Sequence, residues 1–410
     1  MHVVISGMFW NQPTVGSGQY LHGLVGALPR VAPEHRYTLL VPAYQGAARQ
    51  AHARPEGAAA AAASGILTQP EGEAAAGEGA SPDAPQVALH TVRTPFDGRD
   101  ENLAKLWYEQ VGAPLAAARL RGDVLHVPYF APPLWAPLPV VATVLDIIPL
   151  RLPEYRRRPS VRAYVQLVAR AARRTPQIIA ISDHAWGEII AYLRYPPERL
   201  TTVPLAPAPH FRPQERAAEL VAQRYGLEGP FVYYVGGLDA RKNVATLVRA
   251  FGRMRRSGAP PAMLAIAGRA AGTDAALFPD LDAVIADEGI GPLVRRIDVP
   301  WEDGPLLYSA ATVFAYPSRY EGFGLPPLEA MACGAPVVAA EASSLPEVVG
   351  DAGLLVPPDD VAGWAGALWR LLADESLRAE LSRRGLQRAA LFSYERTARE
   401  TVAVYLKVAG

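Results

Sequence analysis

Brief apolar runs rich in β-branched residues alternate with helix-like segments along this chain, and they do so in two separate series. In the first, Val3 to Ser6, Tyr37 to Val41, Asp123 to Val127, Val140 to Leu145 and Gln177 to Ile181 read as strands. Each is short and bounded by Gly, Pro or polar residues. A loop carrying Gly16-Ser17-Gly18 follows the first strand and leads into a helix from about Gln19 to Leu28. Asp183 to Leu193 reads as a helix with Ser182 at its N-cap position. In the second series the strands are Phe231 to Val235, Met263 to Ala267, Val294 to Ile297, Val313 to Tyr316, Pro336 to Ala339 and the short Leu354-Leu355-Val356. Repeated strand-then-helix units imply parallel, doubly wound sheets. Between the series, Pro204 to Pro213 holds prolines at 204, 207, 209 and 213 and reads as a linker. The fold class expected is α/β, with two Rossmann-like domains whose C-terminal strand edges face across a cleft. Open α/β sheets bind ligands at such edges.

The pattern breaks down from Ala47 to Gln86, where twenty-four of forty residues are Ala, Gly or Pro and the only large apolar side chains are Ile66 and Leu67. Such a stretch buries too little surface to offset its ordering entropy, so 47–86 is expected to be a disordered surface insertion.

Composition narrows the partners. Forty cations against forty acids give a net charge of zero, whereas a duplex-binding protein needs a cationic surplus; no nucleic-acid partner is expected. The single cysteine, Cys333, excludes an intramolecular disulfide and any Cys-based metal site. No apolar run approaches the ~18 residues of a membrane span. The start, Met1-His2-Val3-Val4-Ile5-Ser6-Gly7, lacks a basic leader and runs straight into a strand, so the chain reads as cytoplasmic. Only three of the forty cations are lysine, namely Lys105, Lys242 and Lys407. In so arginine-rich a chain, each lysine asks for a reason.

The most informative stretch runs from Tyr316 to Val338. A strand ends near Tyr316, an acidic loop with Glu321-Gly322-Phe323-Gly324 follows, and a helix starts at Pro326 or Pro327. Free N–H groups at such a start can hold an anion. Glu321 in the loop and Glu329 on the second helical turn are placed to accept hydroxyls of a polyol. Taken alone, two glutamates so spaced fit an exposed loop and a solvated helix face as well.

As a whole the string resembles the Glu-x7-Glu signature of retaining glycosyltransferases of family 4 (glycosyltransferase group 1), which have the two-Rossmann GT-B fold. Val235-Gly236-Gly237-Leu238-Asp239-Ala240-Arg241-Lys242-Asn243 is similar to that family's Gly-x4-Arg-Lys-Asn loop. Asp123-Val124-Leu125-His126, Thr143 to Leu150 and Phe392-Ser393-Tyr394-Glu395 also fit family segments. The likeness covers nearly the whole chain outside the Ala/Gly-rich stretch. It implies an N-terminal acceptor-side domain of residues 1–206 plus 392–410 and a C-terminal nucleotide-sugar domain of 207–391. A last helix of about Tyr394 to Val408 would cross back to the first domain.

The resemblance implies Arg241, Lys242, Glu321 and Asp146 as catalytic residues. Donor contacts would come from Gly16, Gly237, Asp298, Phe323, Gly324, Leu325 and Glu329. Physical reasons support several of these. A departing nucleoside diphosphate needs its growing charge stabilised, and an Arg fork beside a Lys point charge can do this without a metal. A solvated cation pair at a helix N-terminus would oppose the helix dipole. Glycine at 16 suits close backbone approach to a diphosphate. Glu329 would hold the ribose hydroxyls and Glu321 the donor sugar. Asp298, in Arg296-Ile297-Asp298-Val299-Pro300, stands where family members often have glycine near the base; a carboxylate there could accept from N1–H and the exocyclic amine of guanine. Capping a helix near Glu302, or plain solvation, are the other readings of Asp298. Asp280-Leu281-Asp282 spells a metal-type Asp-x-Asp, but it lies in helix-like sequence; no metal or other cofactor is expected.

One departure stands out: Leu145-Asp146 replaces the family's His-Asp, and leucine neither donates a hydrogen bond nor shuttles a proton. The expected function is retaining transfer of a hexose from a nucleotide sugar, GDP-mannose favoured, to a glycan or lipid-linked acceptor. A non-catalytic nucleotide-sugar-binding subunit, or another GT-B enzyme such as a nucleotide-sugar epimerase or a phosphorylase, are the alternatives. Finally, Arg151 to Arg174 carries eight arginines and one acid, Glu154. Apolar residues at 161, 164, 165, 168 and 172 oppose Arg162, Gln166, Arg170 and Arg173. This amphipathic pattern reads either as a solvated face or as a contact, near 160–174, with anionic lipid at the inner membrane face or with an anionic acceptor.

Overall fold

The computed structural model describes residues 1–44, 67–68, 87–270, 272 and 274–410. Apart from Leu67–Thr68, the expected insertion lies outside the described residues. The chain divides into two compact units, one formed by Met1–Leu205 with Tyr394–Gly410 and the other by Ala206–Ser393.

Unit 1 contains a parallel sheet of β1 (His2–Ser6), β2 (Arg36–Pro42), β3 (Leu67–Thr68), β4 (Val87–Val92), β5 (Val124–Val127), β6 (Val140–Val144), β7 (Gln177–Ala180) and β8 (Leu200–Thr202). Their spatial order is β3-β4-β2-β1-β5-β6-β7-β8. β1, β5, β6 and β7 are buried throughout, as expected of parallel strands covered on both faces. The Asp183–Leu193 helix starts as expected, with Ser182 Oγ accepting from Ala185 N at 2.9 Å. Three strands escaped the sequence reading: the two-residue β3, inside the stretch expected to be disordered, β4, which begins immediately after it, and the three-residue β8.

The first helix also differs from expectation. It spans Gly16–Val31, so Gly16-Ser17-Gly18 is its opening turn rather than a loop. Poor helix formers are tolerated there because first-turn amides need no intrahelical partner, and tertiary packing overrides propensity. Gly18 is required for space: a Cβ there would lie 1.8 Å from the Gln12 carbonyl oxygen. The last helix, Tyr394–Ala409, packs on this unit. Tyr394 donates to Gln19 O at 3.1 Å and Thr397 to Pro204 O at 2.7 Å. Deeper in, Tyr405 Oη meets His126 Nδ1 at 2.7 Å while His126 Nε2 meets Thr143 at 2.8 Å. Burial drives the His126 pKa down to about 3, so this imidazole is a neutral core group.

Unit 2 contains β9 (Phe231–Val235), β10 (Met263–Ala267), β11 (Val294–Ile297), β12 (Val313–Tyr316), β13 (Val337–Ala340) and β14 (Gly353–Val356), all parallel. Their spatial order is β11-β10-β9-β12-β13-β14, the doubly wound dinucleotide-fold order. That order reverses direction between β9 and β12, and the loops at their C-terminal ends therefore flank the topological switch point.

Candidate functional site

The loops after β9 and β12 carry the principal sequence-predicted residues. After β9 the chain makes a 3-10 turn, Ala240–Lys242, before the Val244–Arg256 helix. After β12 it makes the loop that holds Glu321. Backbone and side-chain bonds lock the two loops together: Arg319 N donates to Arg241 O at 2.8 Å, and Arg241 Nη1 to Tyr320 O at 2.7 Å.

Within this frame the charged groups converge. Lys242 Nζ lies 2.6 Å from Glu321 Oε1, and Arg241 Nη1 lies 3.2 Å from the same oxygen. Ser318 Oγ and Tyr316 Oη also donate to Oε1, at 2.6 and 3.1 Å. Lys242 further donates to Tyr316 Oη at 2.6 Å. The three charged side chains are only 12–13% exposed. Burial alone would raise the Glu321 pKa, but Lys242 and Arg241 outweigh it and hold the carboxylate below its ordinary range. Burial draws Lys242 below the ordinary lysine value, with Glu321 opposing. The side-chain bonds from Lys242, Arg241, Ser318 and Tyr316 all end on Glu321 Oε1. The glutamate read from sequence as a hydroxyl acceptor is thus also the anchor of the cation pair.

Glu329 sits on the second turn of the Leu325–Ala332 helix and is buried. Its Oε2 accepts from Tyr308 at 2.9 Å, while its Oε1 is buried with no hydrogen-bond partner. Burial pushes its pKa up to about 7, against the pull of the Tyr308 bond. The start of this helix corrects the sequence reading. Leu325 is the first helical residue, and Pro326 and Pro327 follow it. Proline has no N–H, and Leu328 N bonds Gly324 O at 3.2 Å. The two prolines and the bonded Leu328 amide leave this helix start with fewer N–H donors than expected. Gly324 turns the chain into the helix with φ +131°, a left-handed value that favours glycine. Phe323 is buried, and its carbonyl accepts from Ser344 Oγ. Gly237 O accepts from Tyr234 Oη at 2.6 Å at the end of β9.

Other predicted residues stand apart from this cluster. Asp298, just past β11, is 76% exposed and ion-paired with Arg269, just past the neighbouring β10. It caps no helix; the helix beyond begins at Gly304. Asp280 caps the Leu281–Asp287 helix, accepting from Asp282 N and Ala283 N at 3.1 and 3.0 Å. Among the described residues no group of His, Cys, Asp and Glu is arranged to hold a metal ion.

In unit 1, Gly16 opens its helix with no side-chain cap, and a Cβ there would meet nothing within 4 Å. Asp146 follows β6, and its Oδ1 accepts from Ile148 N at 3.1 Å. The basic amphipathic segment forms the Pro159–Ala172 helix, with Val165 and Val168 buried and Arg162 and Arg170 exposed. Among the described residues no helix is long and apolar enough to cross a membrane.

Residues 219–388 match the family described as Glycosyl transferases group 1, and residues 15–206 match Glycosyltransferase Family 4. The O-antigen chain mannosyltransferase B of Escherichia coli is 36% identical over 267 residues, spanning 65% of this chain and 69% of that protein. The chain belongs to the group 1, family 4 glycosyltransferases. Solved structures agree on its GT-B fold. A sucrose-phosphate synthase of Thermosynechococcus elongatus superposes with a TM-score of 0.71 at 20% identity, covering 99% of this chain and 98% of that one. Anabaena HepE in complex with UDP and glucose gives 0.69 at 19% identity, covering 99% of both chains.

Proposed function

We propose that this glycosyltransferase transfers a hexose, mannose in the favoured case, from a nucleoside-diphosphate sugar to a glycan or lipid-linked acceptor, with retention and without a metal. The observation that carries the reading is the convergence of Arg241 and Lys242 on Glu321 at the switch point of unit 2. Buried cations held in advance stabilise the charge that develops on the leaving diphosphate at little reorganisation cost. The bond from the sugar's anomeric carbon to the β-phosphate oxygen breaks as the acceptor oxygen bonds the same carbon on the same face. The acceptor's proton passes to the departing phosphate, which spares the enzyme a histidine base and accommodates Leu145.

The remaining roles follow. Glu329 offers its unpartnered oxygen to the ribose, and Glu321 Oε2 takes a sugar hydroxyl. The amides of Gly237, Gly324 and Leu325 and the face of Phe323 complete the donor contacts. Gly16 and Asp146 of unit 1 are assigned to the diphosphate and the sugar by family resemblance. Asp298 favours guanine, which presents two donors to one carboxylate, and the mannosyltransferase relative supports mannose as the sugar. The arginines on the Pro159–Ala172 helix would meet an anionic lipid surface that presents the acceptor. Leu145 favours a second reading, a nucleotide-sugar-binding subunit without turnover.

Thermal shift with GDP-mannose, UDP-glucose and ADP-glucose tests the proposal, since a ligand of the folded state raises stability by RT ln(1 + [L]/Kd). GDP-mannose is expected to raise the melting temperature most. No shift with any nucleotide sugar would end both readings.

A further inference from the structure

The backbone of Glu321 is held by two serines from another loop. β13 lies beside β12, with Phe314, Ala315 and Tyr316 paired to Val337, Val338 and Ala339. The chain leaving β13 therefore runs next to the loop that carries Glu321. It passes through Glu341-Ala342-Ser343-Ser344 and enters the short Leu345–Val349 helix. Three successive residues of this segment meet the Glu321 loop. Ser343 Oγ accepts from Glu321 N at 2.9 Å. Ser344 Oγ lies 3.0 Å from Glu321 O and also bonds Phe323 O, so its single proton bridges two carbonyls. Leu345 is fully buried, and its Cδ2 stands 2.9 Å from where a Cβ on Gly324 would be.

Both serines depart from local preference. Ser343 has φ +50°, in the left-handed region that residues other than glycine seldom enter. Backbone held in such a region persists where its surroundings fix it, and it gathers at functional sites. Ser344 stands at the N-cap of the Leu345–Val349 helix, where a serine hydroxyl ordinarily accepts from a first-turn amide. It makes no such bond here, and Pro346 in that turn has no amide to offer. The fully buried hydroxyl faces the Glu321 loop instead. The far end of the same helix is tied as well: Arg388 donates to Glu347 O at 2.5 Å and to Val348 O at 3.1 Å.

Lys242 and Arg241 hold the Glu321 carboxylate, while Ser343 and Ser344 hold its amide and its carbonyl. The cation loop has separate supports. Arg241 O accepts from Arg319 N at 2.8 Å, and Ala240 O from Arg319 Nη1 at 2.7 Å.

We infer that Ser343 and Ser344 are positioning residues of the transfer reaction, which set Glu321 against the donor sugar. The inference rests on the reading of Glu321 as the residue that meets that sugar. Loss of either hydroxyl displaces Glu321, and the loop that receives the diphosphate stays where Arg319 holds it.

Ser343→Gly is the most telling variant. Glycine adopts a left-handed φ without strain, so this variant removes the hydroxyl and folds. Ser344→Ala removes the bridging proton. Ser343→Asn is the conservative rescue, because asparagine tolerates the left-handed region and brings an acceptor oxygen. Initial rates are measured with GDP-mannose, UDP-glucose and ADP-glucose and a methyl α-mannoside acceptor, alongside thermal melts and calorimetric titration of GDP and UDP. With the donor that the wild type uses, Ser343→Gly and Ser344→Ala should lose about tenfold to a hundredfold in kcat, the scale of a small misplacement. Nucleoside-diphosphate affinity should be unchanged, Ser343→Gly should melt within a few degrees of the wild type, and Ser343→Asn should recover most of the rate. A purely structural Ser343 predicts wild-type kcat in Ser343→Gly, and that result overturns the inference. Crystal structures of the variants judge the serines without turnover: Glu321 should leave its wild-type position, and a Glu321 unmoved in both Ser343→Gly and Ser344→Ala overturns the assignment. A wild type that turns over no nucleotide sugar would overturn the transferase reading, and the place of Glu321 in the variants would still decide this one.

Discussion

Lys242 Nζ and Glu321 Oε1 lie 2.6 Å apart, although seventy-nine positions separate the two residues in sequence. The pair joins the loops after β9 and β12, and Arg241 shares the same oxygen. Lys242→Ala leaves Glu321 with Arg241, Ser318 and Tyr316, so the carboxylate stays paired and the fold survives. Turnover should fall by about 2–4 kcal/mol in barrier, the cost of a lost transition-state donor. Steady-state kinetics with circular dichroism checks both halves; an unchanged kcat removes Lys242 from the mechanism.

Glu329 and Glu321 should separate by parameter. Glu329→Ala is expected to weaken nucleoside-diphosphate binding, and Glu321→Ala to slow transfer. Calorimetric titration of GDP against both variants decides it; undiminished affinity in Glu329→Ala makes the ribose assignment wrong.

The same carboxyl sets a pH dependence. Its pKa is pushed up to about 7 by burial, so the folded state holds this proton more tightly than the unfolded chain. The stabilisation is complete below the unfolded value of about 4.3 and is lost as pH rises through about 7. At about 1.4 kcal/mol per pKa unit the loss is on the order of 3 kcal/mol. Denaturant melts of wild type and Glu329→Gln from pH 4.5 to 8 should therefore show the wild type losing stability relative to the variant. Parallel curves would contradict the buried-carboxyl account.

Two glycines of one helical turn should behave oppositely. Gly18→Ala places a methyl against the Gln12 carbonyl and should lower the melting temperature. Gly16→Ala meets nothing within 4 Å, so it should leave melting unchanged and affect only donor binding. Thermal melts with and without GDP distinguish them, and a Gly16→Ala protein that binds GDP normally loses the assigned contact.

Asp298 carries the base preference. Arg269 is its partner in the ligand-free chain, so Arg269→Ala should sharpen discrimination of GDP over UDP and Asp298→Ala should abolish it. Competition binding measures this; a GDP preference that survives Asp298→Ala defeats the assignment.

Much of this architecture was legible because parallel strands advertise themselves. Phe231–Val235, Met263–Ala267, Val294–Ile297 and Val313–Tyr316 are found at the expected limits. β8 was not legible, since Leu-Thr-Thr carries one large apolar side chain and is held as a strand by pairing with β7. The site read unevenly. Arg241, Lys242 and Glu321 could be named from their loops, but their convergence on one oxygen is a product of strand order, which no local pattern encodes.

The most direct measurement of the central claim is proton NMR of GDP-α-mannose turnover with an α-mannoside acceptor, following the anomeric signal of the product. The account predicts that the wild type forms an α-linked product together with GDP, without added divalent metal, and that Lys242→Ala forms neither at a comparable rate. A β-linked product, or turnover that stops on chelation and returns with metal, would contradict it.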